Sequence, residues 1–347
     1  VYFATANIAF NAFPLNGQNF TGVAGQTLEP RLVVKFVDSS GVPVANLPVR
    51  FRSILGGGSI DEATRETDEL GIAESRVILG PQIGEQGFSV EGGGLTLELY
   101  GQAMVQPAIR TDGVGNAASG RMGEGLAPGS YISIFGSALS ETLREKTTSY
   151  LPLSLSNVSV SFDVPSRRLS LPGRLHFVSE KQINVQVPWE LQGLTSAQVK
   201  VSIGDISSAL YNVTLKDYSP ELFQYTEAES GRRLIAARDE SFAVVGTVNP
   251  VRRGRVVQLY ANGVSPLDGK VESGEPVPAQ PLLRCRVTPT VTIGGQPAQV
   301  SFCGLAPFIV GLYQINATVP EDTPVGIQPV VISAGGVSSQ PASLPIQ

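Results

Sequence analysis

The chain has 347 residues, of which 42% are apolar, 38 are glycine and 25 are proline, and its net charge is −5 from 25 basic and 30 acidic side chains. That length suits two or three domains, and so many glycines and prolines favour short strands and turns over long helices. The charge lies mainly in residues 1–107, at −5, against +1 for 108–218 and −1 for 219–347. No concentrated basic face is offered to nucleic acid or a membrane surface, and no run approaches the ~20 apolar residues of a membrane span.

Residues 1–6 (Val-Tyr-Phe-Ala-Thr-Ala) read as a strand rather than a secretory leader, so the chain is expected to be mature or truncated. The expectation for this strand is that it closes a preceding domain or pairs with a neighbouring molecule, since an unpartnered apolar edge has to be covered. Tyr2 and Phe3 are therefore candidate interface residues.

Residues 7–103 follow as one domain. A strand at 32–38 leads through Ser39-Ser40-Gly41 to a second at 47–52, and Gly56-Gly57-Gly58 and Asp68-Glu69-Leu70-Gly71 supply further turns. Asp38-x-x-Gly41-x-Pro43-Val44, closing on Val49-x-Phe51, and Thr67-Asp68-x-x-Gly71-x-Ala73 are motifs by which this part resembles the invasin/intimin type of bacterial immunoglobulin-like domain. The resemblance implies a β-sandwich serving as a spacer or adhesive module at a cell surface.

A glycine-rich linker at 108–120 leads into a part of the chain that is written twice. Gln182-Ile183-Asn184 with Val187-Pro188 recurs as Gln314-Ile315-Asn316 with Val319-Pro320, an offset of 132, and both alternate apolar and polar residues as a half-buried strand does. The strand after Gly129 matches the strand after Gly254 at an offset of 125, and hairpins ending Ser207-Ser208 and Ser338-Ser339 follow each repeat. Tandem duplication of an all-β unit explains all three. Strands are expected near 158–162, 175–178, 183–187, 199–203 and 210–215, with a helical turn at 140–146 capped by Ser140. Asn116-Ala117-Ala118-Ser119, residues 126–136, the two Gln-Ile-Asn strands and Asn249-Pro250 resemble the Solibacter-type C-terminal domain of secreted acidobacterial proteins over about 108–347. That resemblance implies immunoglobulin-like halves of the transcription-factor-like type, without an established molecular role.

Cys285 and Cys303 are the only cysteines, and they flank a hairpin pattern turning at Gly294-Gly295 that sets them opposite each other, within disulfide reach. Two separately buried thiols are the alternative. A bridge would imply an oxidising, extracytoplasmic location.

Chemistry is sparse. His176 is the only histidine, and aligned through the Gln-Ile-Asn motif it falls opposite Phe308, so it reads as a packing residue. Asp61-Glu62, Asp68-Glu69 and Asp239-Glu240 lack the spacing of a calcium loop and read as turn acids, with a calcium shared between domains left open. Arg252-Arg253-Gly254-Arg255 reads as a solvated loop. The sequons at Asn19, Asn157, Asn212 and Asn316 read as chance. No segment frames a pair of carboxylates as a glycosidase would. Trp189, Tyr211, Tyr218 and Tyr225 are candidate sugar platforms; Trp189, whose sister residue is Glu321, is read as a domain-interface residue with ligand stacking as the alternative.

The expectation is an all-β chain of three tandem immunoglobulin-like β-sandwich domains at 1–107, 108–218 and 219–347. It is expected to be a non-enzymatic structural and adhesive module, extracellular or at the cell surface of a bacterium, without cofactor, metal or catalytic residue, and able to form fibres by strand exchange. Its partners would be neighbouring domains or subunits and surface glycans or proteins. The alternative is a glycan- or protein-binding accessory region of a larger secreted enzyme.

Overall fold

A computed structural model describes residues 9–347. Tyr2, Phe3 and the strand expected at 1–6 lie outside the described residues. The chain forms two compact units, one ending at Gln106 and the other Pro107–Gln347, so both repeats of the duplication belong to a single body. Strands dominate both units; the helical elements among the described residues are two three-residue 3-10 turns, Pro165–Arg167 and Trp189–Leu191.

The first unit is a β-sandwich. Asn11–Asn16, Leu32–Val37 and Ile72–Ser75 form one sheet, and Phe20–Val23, Leu95–Met104, Gly84–Gly92, Pro48–Leu55 and Thr64–Glu66 form the other. Leu32, Val34 and Phe36 alternate inward from the first sheet and meet Val49, Phe51, Phe88, Val90 and Leu99 from the second in one core. Both Asp-x-x-Gly motifs close the same kind of turn. Asp38 Oδ1 accepts from the N–H groups of Ser40 and Val42, and Asp68 Oδ1 from those of Leu70 and Ile72. Gly41 and Gly71 take the left-handed conformation the turn needs, at φ 79° and 72°.

Each repeat of the second unit is again a pair of sheets. In the first repeat, Ala108–Asn116, Tyr131–Ser137, Gln182–Gln186, Arg174–Val178 and Arg144–Glu145 face a sheet built on Val158–Val164 and Ser196–Ile203. Ile132, Ile134, Ile183 and Val185 of one sheet and Val158, Val160, Phe162, Val199 and Val201 of the other are all buried. In the second repeat the strand Gln296–Leu305 runs unbroken through both sheets, pairing with Thr290–Ile293 and with Tyr313–Thr318. The corresponding stretch of the first repeat is interrupted at Gly173. Tandem immunoglobulin-like sandwiches describe the chain.

The duplication extends to individual hydrogen bonds. Gln182 Nε2 donates to Asn184 Oδ1 and Gln314 Nε2 to Asn316 Oδ1, both at 2.9 Å. Ser202 and Ser207 bond side chain to side chain, as do Ser333 and Ser338. Ser208 Oγ accepts from the Val201 N–H and Ser339 Oγ from the Ile332 N–H, each at 3.1 Å.

The helical turn expected at 140–146 is not formed. Ser140 Oγ instead donates to Thr142 O and accepts from Thr142 N–H, and Arg144–Glu145 joins the edge of the sheet beside Arg174–Val178. Leu143 is exposed, so a helix would have had no apolar stripe to bury, whereas the open strand edge had backbone groups to satisfy.

Candidate functional site

Where the two repeats meet, polar side chains replace the apolar packing of the sandwich interiors. Asn262 ends the strand Val256–Asn262 and is fully buried. Its side chain copies a peptide group: Tyr131 N–H donates to Asn262 Oδ1 at 2.9 Å, and Asn262 Nδ2 donates to Tyr131 O at 2.8 Å. The same Nδ2 reaches Asn116 Oδ1 at 2.8 Å, while Asn116 Nδ2 donates to Ser219 O at 3.1 Å. One buried amide thus joins the opening strand of the first repeat to the second.

Gln186 makes a parallel link. Fully buried at the end of Gln182–Gln186, it donates to Gly129 O at 3.1 Å and accepts from the Gly274 N–H at 2.8 Å. Leu151 N–H donates to Gly274 O at 2.8 Å, and Tyr131 Oη donates to Val310 O at 3.0 Å. At the rim Arg121 stands 3.6 Å from Glu221, a buried carboxylate that also accepts from the Gln340 N–H. Burial pushes the Glu221 carboxyl up, with Arg121 and the Gln340 N–H opposing it.

Trp189 completes the seam. Pro188 ends the repeated strand and turns the chain into the 3-10 turn, which carries the indole under the second repeat, where only 8% of the residue remains exposed. It packs with the second repeat's core, the backbone N–H of Trp189 donates to Ser273 Oγ at 2.8 Å, and Ser273 Oγ donates to Glu190 Oε2 at 2.7 Å. Its indole nitrogen has no hydrogen-bond partner. The ring lies against Gly129, where a Cβ would stand 2.2 Å from the indole, so glycine is what lets the ring seat there.

The other sequence candidates lie elsewhere. Cys285 and Cys303 form a disulfide with Cα atoms 5.4 Å apart, on the arm of the second repeat that faces Trp189. The register corrects the pairing of His176 with Phe308. His176 is the bulged residue between Leu175 and Phe177, and Ser301 is the bulged residue between Val300 and Phe302, so Ser301 is its counterpart at an offset of 125. A seven-residue insertion between Cys303 and Ile315 causes the slip, and Phe308 stands on it, 71% exposed. His176 sets its ring edge-on to Tyr131, 5.8 Å between centroids, with Glu145 at 3.9 Å. Burial lowers its basicity, Glu145 acting the other way and Lys146 with it.

Tyr225 donates to Val245 O, and Tyr218 packs beneath Gly335. Among the described residues no group of three or more His, Cys, Asp or Glu side chains is set to hold a metal. Asn262, Gln186 and Ser273 escaped the sequence reading. The signal that could have found two of them is the difference between repeats: Asn262 matches Ser137, and Gln186 matches Thr318.

No family model and no curated protein matches the chain. Solved structures do. A C-terminal 282-residue fragment of intimin, in complex with the intimin-binding domain of the translocated intimin receptor, is similar over 62% of this chain and 66% of its own, at 14% identity and a TM-score of 0.37. Invasin, a bacterial integrin-binding protein, is similar over 97% of this chain and 60% of its own, at 14% identity and a TM-score of 0.24. The surface glycan-binding protein SGBP-B of Bacteroides ovatus, in complex with a mixed-linkage heptasaccharide, is similar over 97% and 70%, at 11% identity and a TM-score of 0.29. These are likenesses of strand arrangement alone. None of the matches bears on the Solibacter-type resemblance, which rests on its motif residues.

Proposed function

We propose that the chain is a non-enzymatic spacer and adhesive segment of an extracellular or surface-displayed bacterial protein. The observation that carries this reading is the seam: Asn262, Gln186 and Trp189 tie two sandwiches into one body. A stalk needs repeated modules that hold their mutual orientation under load, and direct hydrogen bonds between buried groups resist hinging because each becomes costly when unmade. The Cys285–Cys303 disulfide supports an oxidising compartment. The only histidine, His176, sets its ring edge-on to Tyr131, which fits a packing role.

Distance measurement by double electron–electron resonance, with labels at Arg168 in the first repeat and Val325 in the second, tests the spacer role in the whole chain. A single narrow distribution is the expected result; a broad one would remove it. The adhesive role extends to self-assembly through residues 1–6, whose nearly unbroken apolar run suits strand addition. Light scattering across a concentration series tests that extension: growing assemblies are expected, and a monomer throughout leaves the spacer role alone.

A further inference from the structure

Beside Trp189 the repeats leave a crevice of about 410 Å³. Its first wall is the 3-10 turn with Glu190 and Gln192; the second is an arm of the second repeat carrying Asp268, Lys270 and Arg286. Clefts of this size at the junction of two domains are where small ligands are commonly held.

The arm is an addition to the repeat. Ser159 pairs with Ser202 and Thr290 with Ser333, so the first repeat runs from Ser137 to Ser159 where the second runs from Asn262 to Thr290, six residues more. It is also locked in place. The disulfide anchors it, Leu267 bridges to Cys285, Asp268 accepts from the Arg284 N–H at 2.8 Å, and Arg286 N–H donates to Pro266 O at 2.8 Å. A wall held this way is pre-organised and loses little freedom when a ligand arrives.

The lining also indicates what would bind. The amide of Gln192 and the guanidinium of Arg286 have no partner among the described residues, whereas Glu190 is bonded to Ser273 and Lys270 is paired with Glu272 at 2.8 Å. In number the lining residues Glu190 and Asp268 match Lys270 and Arg286, and Glu272, just outside the lining, already holds Lys270, so an acidic ligand gains nothing overall. Leu267, Val271 and the accessible edge of Trp189 add an apolar strip among donors and acceptors. Spare hydrogen-bonding groups of both kinds, no net charge and an apolar strip match a neutral sugar, which presents hydroxyls around its rim and C–H groups on its face.

We infer that this crevice binds a neutral oligosaccharide. The site goes beyond the spacer reading and does not depend on it: a rigid seam without a ligand leaves that reading standing, and a hinged seam that still binds sugar leaves this one.

The test uses the whole chain. Trp189 is its only tryptophan, so a change in intrinsic fluorescence reports the crevice directly. Neutral oligosaccharides, acidic oligosaccharides and short peptides are screened as arrays, and the neutral hits are then titrated by fluorescence and calorimetry. Gln192→Ala and Arg286→Ala remove exposed side chains that bond to nothing among the described residues, so both variants are expected to keep the wild-type melting temperature. Each should weaken binding about tenfold, the loss expected when a polar contact to a ligand is removed. Saturable neutral-sugar binding with that loss upholds the inference. Absence of binding, binding that both variants retain, or binding confined to acidic glycans or peptides overturns it.

Discussion

The end of the first repeat that docks and the matching end of the second share a backbone but differ in what that backbone carries. Gly129 lies under Trp189 and Gly254 under Glu321; a Cβ on either glycine would stand 2.2 Å from the residue above it. Where the first repeat has Tyr131, Gln186 and Trp189, the second has Val256, Thr318 and Glu321. The first set is drawn into the seam, while Glu321 and Asp322 remain in water. Docking is therefore a property of a few side chains laid over a common frame, and the charged version leaves its end solvated.

Exchange across the repeats breaks this comparison most directly. Trp189→Glu gives the first repeat the residue of the second and strands a charge in the seam. A loss of about 3–5 kcal/mol in denaturant unfolding is expected, with broadening of the inter-repeat distance distribution. Glu321→Trp, the reverse exchange, lies on an exposed end and should change stability by less than about 0.5 kcal/mol. Equal effects from the two would show that the ends do not differ in the way described.

Only the second repeat is cross-linked. Replacing Cys285 and Cys303 together by serine frees a loop of 18 residues' separation and should cost about 3 kcal/mol. The loss should fall on the second repeat, and amide hydrogen exchange would show protection lost around Tyr313–Thr318 before Gln182–Gln186. Asn262→Ser, which installs the residue of the first repeat, leaves Tyr131 and Asn116 without their partner and should cost about 2–3 kcal/mol. Ser137→Asn should be close to neutral by the same measurement.

The turns allow a comparison across both units. Asp239 makes the turn of Asp38 and Asp68, accepting from the N–H groups of Ser241 and Ala243, but Phe242 occupies the glycine position at φ 65° and is exposed. The hydrogen bond from Asn249, with those of Ser241, holds the Asp239 carboxyl down at about 2, so the turn is pinned at all ordinary pH. Phe242→Gly should raise stability by about 1 kcal/mol, seen as a higher denaturation midpoint.

The smallest expected effect is the pH response of His176. Its folded pKa is depressed by burial, so its contribution is complete above the unfolded value of 6.5 and is lost as pH falls through the folded pKa. Melting temperature should decline more steeply below pH 6.5 in the wild type than in His176→Gln. Parallel curves would mean that the imidazole is not held neutral.

Much of the architecture is written locally. Alternation in Gln182–Gln186 and Tyr313–Thr318, the Asp-x-x-Gly turns and the spacing of the two cysteines about Gly294-Gly295 each depend on neighbouring residues, and each is realised where it was expected. Three readings failed because they needed information from afar. The glycine-rich stretch read as a linker at 108–120 is mostly the edge strand Ala108–Asn116, paired with Tyr131–Ser137. His176 was set against Phe308 because the seven-residue insertion after Cys303 has no local mark, and the run at 140–146 went to an open strand edge that a sequence does not display.

From the order of residues alone, this chain is committed to alternating strands, to a duplicated sandwich and to a cross-linked hairpin, because period-two patterning and turn chemistry act within a few residues. The seam was settled only on folding. Asn262 meets Tyr131 across 131 positions of sequence and Trp189 meets Ser273 across 84, and whether a polar side chain at a strand end is solvated or buried depends on which surface the completed fold brings against it.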